Sequence, residues 1–149
     1  MDIQQQESLK LTFTAEQHRL ARCTVEQFLK AAVLECVAKE DAVEILRRQD
    51  LSSVIQTAYE DLKAFASKDP ASQRDLEFIA RTYTSYAAVL HYRLANYIYK
   101  LPLASADSAS AVVYAGLLSR RGKLLSGAEI HFRCEIGNRL FLIMGMALS

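Results

Sequence analysis

Apolar residues recur along most of this chain at steps of three and four, and then, close to its end, at steps of six. Val25, Phe28, Leu29, Ala32, Val33, Cys36 and Val37 form one stripe, and Leu51, Val54, Ile55, Ala58, Leu62 and Phe65 form another. Such spacing returns to one side of a coil with 3.6 residues per turn and predicts amphipathic α-helices. Leu76, Ile79, Ala80, Tyr83, Ala87, Leu90, Leu94, Tyr97 and Ile98 predict the longest helix, roughly 76–100. Val113, Leu117 and Leu124 lie on one side of a final helix that runs to about Leu125. Polar residues punctuate these stripes. Residues 1–13 read as a frayed lead-in, and Thr14-Ala-Glu-Gln17 has the form of a capping box. Asp41 can cap a short helix through Arg48, Asp50 or Ser52 the next, Asp75 the long one, and Asp107 or Ser108 the last. Pro70 either opens a turn or lies in a loop, Pro102 ends the long helix, and Ser126-Gly127 stops the final one.

Beyond Gly127 the period changes. Ile130, Ile136, Leu142 and Leu148 fall six apart, and Ala128, Cys134, Leu140 and Met146 form a second six-residue series. No α-helix has that period, and a flat strand needs period two. A hexapeptide repeat is the signature of a β-helix, in which short strands send one apolar residue inward per step. The expected architecture is therefore mainly α: a multi-helix domain over residues 1–126, then a short start of a left-handed parallel β-helix over 127–149. A plain helical bundle whose C-terminus forms one more amphipathic strand or helix is the alternative, and the six-residue period weighs against it.

Composition narrows the function classes. The chain has 149 residues, 51% of them hydrophobic, with two prolines and five glycines, which suits long helices. A formal net charge of +1 gives no global attraction to nucleic acid or to anionic membranes. The tyrosines Tyr83, Tyr86, Tyr92, Tyr97 and Tyr99 stand at helical spacing with no basic face, and read as core or interface with their hydroxyls at the edge. Arg120, Arg121 and Lys123 read as a solvated, cationic helix end. Cys23, Cys36 and Cys134 lack metal-ligand spacing and fit small core residues in a reducing cytoplasm. The N-terminus lacks a cationic start followed by an apolar run, so no leader is expected, and no apolar stretch is long enough to span a bilayer. No phosphate loop and no zinc spacing occur, so no metal and no tightly bound cofactor are expected.

Three stretches resemble one family. Asp69-Pro-Ala71 is similar to the Asp-Pro-Ala of serine O-acetyltransferases. Tyr86-Ala-Ala-Val-Leu-His-Tyr-Arg-Leu-Ala95 resembles the helix in which those enzymes carry Tyr-Arg or His-Arg. Leu117 to His131, then Ile136-Gly-Asn-Arg-Leu-Phe141, resembles their helix exit into Glu-Ile-His and Ile-Gly-Arg-Arg-Leu-Phe. The resemblance covers about half the chain, from Asp69 onward. It implies a helical domain followed by a left-handed β-helix. It also implies acetyl transfer from acetyl-CoA, as co-substrate, to the hydroxyl of L-serine, with a histidine base oriented by a carboxylate. In those enzymes the helical domain joins trimers and the coils form the trimer contacts, which implies a homo-oligomer here.

Carried over by position, Glu129 is the orienting carboxylate. The Asp-His pair that should follow is Ile143-Met144, and a thioether cannot accept the serine proton. The Asp that helps hold serine is replaced by Gln73, and Asp75, two residues on, either substitutes for it or caps its helix. His131 corresponds to a structural corner residue. The family's Pro-Gly-Ala is Phe132-Arg133-Cys134, with Arg133 and an exposed Phe132 expected on an outer corner. The coils that build the acetyl-CoA groove are missing from these 149 residues. Two readings follow: an acetyltransferase-like protein of cysteine biosynthesis that is impaired or inactive as this chain, or a non-catalytic helical oligomerisation or regulatory module derived from that family.

Overall fold

The computed structural model describes residues 3–69, 75–104 and 108–141, with the side chains of 3–14, 108 and 109 excepted. Among these residues it forms α1 (Ile3–Cys36), α2 (Lys39–Arg47), α3 (Leu51–Lys68), α4 (Leu76–Thr82), α5 (Thr84–Tyr99) and α6 (Ser108–Ser126). No strand is present among them, and the fold is mainly α. No helix among them is long and apolar enough to cross a membrane.

The stripes of α1 and α3 pack inward as their spacing requires, except at Phe28, which was expected on the inner side and is 37% exposed. Ala21, Val25, Leu29, Ala32 and Val33 line the inner side of α1, and Leu51, Val54, Ile55, Ala58, Leu62 and Phe65 that of α3. The helix α1 begins at Ile3, well before the expected start at Thr14. Residues 3–13 contain no glycine or proline and are rich in Gln, Glu, Leu and Lys, so nothing in them stops a helix from propagating backwards.

Two expected caps are put to other use. Asp41 lies inside the first turn of α2, buried, and accepts a hydrogen bond from the Tyr114 hydroxyl of α6. Asp50 precedes α3 without capping it and instead accepts from Arg48 and from the Tyr97 hydroxyl. Ser52 donates to the Gln49 carbonyl, 2.9 Å away. Asp107 lies outside the described residues.

The single helix expected over 76–100 is two helices. Tyr83 takes an extended conformation (φ −76°, ψ 114°) between α4 and α5. Thr82-Tyr83-Thr84 is a run of β-branched and aromatic residues, and Thr82 donates its hydroxyl back to the Phe78 carbonyl at 2.6 Å. The break lets the Tyr83 ring meet Phe65 and Phe78 edge-on and its hydroxyl reach Asp69 at 2.7 Å.

The central element is α5. Eleven of its residues, from Ser85 to Ile98, are buried, because α1, α3, α6 and the C-terminal segment all pack against it. Tyr86 is fully enclosed and donates to the Ala58 carbonyl at 2.7 Å, as a buried phenol must. The approach of α6 to α5 is through small residues. Ala111, Ala115, Leu118 and Gly122 face inward, and a Cβ on Gly122 would lie 2.7 Å from the Cβ of His91. The side expected to be apolar points outward instead: Val113 is 57% and Leu124 78% exposed.

Candidate functional site

The segment after α6 is where the sequence places its chemistry. Gly127 ends the helix with φ 78°, a left-handed conformation natural to glycine, and its N–H bonds the Lys123 carbonyl at 2.7 Å. Ser126 donates to the Gly122 carbonyl at 2.6 Å and accepts from the Ala128 N–H at 3.1 Å. Residues 128–141 then run as extended backbone and turns along α5 and α3.

The turn at 131–134 is built by its own residues. The Cys134 N–H bonds the His131 carbonyl at 3.0 Å, and the Arg133 N–H donates to His131 Nδ1 at 3.1 Å. His131 thus spends a ring nitrogen on the corner itself. Phe132, expected on the outside, is buried: it packs against Tyr99 with ring centroids 5.3 Å apart, His131 stacks on it at 4.5 Å, and the Arg133 guanidinium lies 5.5 Å from its centre. The exposed face of the ring is covered by its two neighbours in sequence.

A row of side chains on α5 grips the backbone of this segment. Asn96 donates to the Phe132 carbonyl at 2.8 Å and the Cys134 carbonyl at 3.1 Å. The Tyr92 hydroxyl donates to the Cys134 carbonyl and accepts from the Ile136 N–H at 3.1 Å. Burial pushes the Tyr92 phenol up from its ordinary pKa, which keeps the proton it donates. Arg93 donates to the Ile136 carbonyl at 2.8 Å and the Gly137 carbonyl at 2.6 Å. Its remaining donors make a two-point pair with Asp61 of α3, at 2.7 and 3.0 Å. Asp61 also accepts the Leu140 N–H at 2.6 Å. The Asp61 side chain is fully buried and that of Arg93 8% exposed. Burial pushes the Asp61 carboxyl above the usual carboxylate range, and the hydrogen bonds and charge of Arg93 oppose that rise.

Arg139 adopts φ 63°, which turns the chain so that Phe141 meets Phe65 at 4.8 Å. An outer ion pair, Lys100–Glu135 at 2.6 Å, closes the far end of the row. Sequence reading missed Asp61 and Asn96 and gave Arg93 no role. A long cation at a helix position buried all round was the available signal.

The predicted site residues are not brought together. Glu129 is exposed, with Lys123 3.9 Å away as its ionic neighbour. Asp75 is exposed and accepts the Phe78 N–H at 3.1 Å, so it caps α4. Gln73, Ile143 and Met144 lie outside the described residues. No cluster of His, Cys, Asp or Glu among the described residues can hold a metal ion.

No family profile matches the chain, and no solved structure matches it. Curated proteins do. A serine acetyltransferase of Staphylococcus epidermidis is 33% identical over 89 residues, which is 60% of this chain and 38% of that protein. One of Staphylococcus aureus is 32% identical over 89 residues, with the same shares. One of Synechococcus elongatus is 28% identical over 95 residues, 64% of this chain and 35% of that protein. The chain is related to serine acetyltransferases, and it spans well under half the length of these relatives.

Proposed function

We propose that this serine acetyltransferase-like chain is the helical module that seats the first coil of a left-handed β-helix, and that these 149 residues do not themselves turn over substrate. The observation that carries the proposal is the grip of Asn96, Tyr92 and the Arg93–Asp61 pair on the backbone of 132–140. Those contacts go to main-chain N–H and C=O groups, so they fix the path of the segment independently of its side chains. A coil whose first turn is held this way gives later coils a template on which to stack.

The proposed chemistry of the longer assembly is acetyl transfer from acetyl-CoA to the hydroxyl of L-serine, within cysteine biosynthesis. Glu129 stands where the relatives' orienting carboxylate would, but Ile143-Met144 leaves it no histidine base to orient, and Asp75 is already engaged as the cap of α4 rather than free for a substrate amine. Acetyl-CoA enters as co-substrate, with no tightly bound cofactor. The proposed assembly is a homo-oligomer through the helical domain and the coil, in a cytoplasmic setting. Supporting the former, Leu34 and Leu124 are 66% and 78% exposed; supporting the latter, Cys23, Cys36 and Cys134 are free thiols, although Cys23 is exposed and the other two only half-buried rather than core residues as expected.

The test is thiol release from acetyl-CoA with L-serine, run on the chain and on Met144→His beside it. No release above background by the natural chain is expected; measurable turnover by it would overturn the non-catalytic reading. Light scattering at micromolar concentration checks the assembly, and a monodisperse monomer would refute it.

A further inference from the structure

On a different side of α5 from the backbone grip, α1, the α4–α5 junction and the end of α6 enclose an open groove of about 270 Å³. One wall is apolar, with Phe28, Leu90 and Leu125. The other holds His91 and Arg121, and Arg121 is fixed by an unusual set of arrangements. His91 is 4% exposed, and its Nδ1 donates to the Ala87 carbonyl at 2.7 Å. That leaves Nε2 as an acceptor, and Arg121 Nη1 donates to it at 2.7 Å. The imidazole can sit there only because residue 122 is glycine, since any Cβ would collide with the His91 side chain. Arg121 Nε donates to Glu35. Its Nη2 makes no hydrogen bond among the described residues. Desolvation and the Arg121 charge hold His91 neutral by lowering its pKa, which keeps the acceptor available.

We infer that this groove binds a small organic carboxylate with a compact apolar body, the carboxylate on Arg121 and the body against Phe28, Leu90 and Leu125. Charge complementarity selects the ligand class. With Nη1 held by His91, the Nε–Nη2 edge of the guanidinium is positioned as a fork for a carboxylate, and Glu35 shows that this edge takes one. The Glu35 side chain is 63% exposed, so its ion pair is weak and readily exchanged for a ligand that also fills the apolar wall. The space suits a ligand about one ring in size, just below the range of ordinary ligand pockets. The inference is independent of the acetyltransferase reading, because neither Glu129 nor the backbone grip takes part.

Benzoate is the probe, titrated into the whole chain and followed by the NMR signals of Arg121 Nε and the His91 ring, with benzyl alcohol as the uncharged control. Saturable binding is expected, with a dissociation constant on the order of 1 mM. Arg121→Gln should weaken it about tenfold or more. Glu35→Gln, an exposed change that leaves the fold intact, should tighten it about two- to fivefold by removing the competing carboxylate. A lack of saturable benzoate shifts, equal binding of benzyl alcohol, or weaker or unchanged binding by Glu35→Gln would each overturn the inference.

Discussion

Replacing Arg93 by methionine tests the centre of the structure. The change keeps the side chain long but removes its charge, so packing of its stem on α5 is largely preserved. It removes two hydrogen bonds to Asp61 and one each to the carbonyls of Ile136 and Gly137. Asp61 is left as a fully buried carboxylate whose main remaining donor is the Leu140 N–H. Removing one partner of a buried ion pair costs about 3–5 kcal/mol, since the other charge stays desolvated. That is a large share of the ~5–15 kcal/mol that holds a domain folded. At about 2–4 °C per kcal/mol for a chain of this size, the melting temperature should drop by roughly 6–20 °C.

The pH dependence carries its own sign. The folded carboxyl of Asp61 already lies above its usual range, and loss of Arg93, which opposes that rise, lifts it further. Between the unfolded and folded pKa values the folded state holds more protons, so stability falls as pH rises. The deficit of Arg93→Met should therefore be larger at pH 7 than in mild acid. Urea unfolding at both pH values measures it, and hydrogen exchange at Ile136 and Leu140 reports whether the C-terminal segment is released first. A loss below about 1 kcal/mol at pH 7, or a deficit that grows in acid, would refute the reasoning. Asp61→Leu combined with Arg93→Met should recover part of the loss, because no unpaired charge is then buried.

Gly122→Ala forces the His91 ring away from α6 and should cost about 1–3 kcal/mol in urea unfolding. Because burial lowers the pKa of His91, and that of the more exposed His18 in the same direction, the unfolded chain takes up protons first as pH drops below about 6.5. Stability should thus decline with falling pH in that window, and His91→Gln should flatten the slope measured by denaturation. Tyr92→Phe loses the hydroxyl that serves both the Cys134 carbonyl and the Ile136 N–H. It should destabilise by about 1–3 kcal/mol and speed exchange at the Ile136 amide. Asp75→Ala should cost about 0.5–2 kcal/mol through loss of the cap on Phe78; an unchanged melting temperature would remove the capping role.

The stripes of α1 and α3 were legible from spacing alone, because a half-buried helix writes its inner face into the chain at every turn. So were the stops at Pro102 and Gly127, which depend on one residue's own backbone preferences. The Asp75 cap was legible for the same local reason, although its sequence offered a substrate role equally well. The resemblance to acetyltransferases was visible in the helix exit and in Glu-Ile-His. Where the pattern was local but weak, reading failed. The break at Tyr83 depends on Phe65, Phe78 and Asp69 drawing the ring and hydroxyl aside. The inner face of α6 was misjudged because a close helix contact selects Ala and Gly, which carry little hydrophobic signal.

The backbone grip belongs wholly to the tertiary structure. Asp61 and Arg93 stand 32 positions apart, and Arg93 and Ile136 stand 43 apart. Nothing in a single chain's periodicity couples residues at that distance. Their pairing is decided where the helices enclose them. A buried charge must find a partner there, and the main chain of the passing segment must find donors and acceptors away from water. The sequence by itself thus determined most of the helical segments and the inward stripes of α1 and α3, but neither the break at Tyr83 nor the inner face of α6. Only the tertiary structure decided that α5, through Tyr92, Arg93 and Asn96, holds the segment in which the sequence had placed its chemistry.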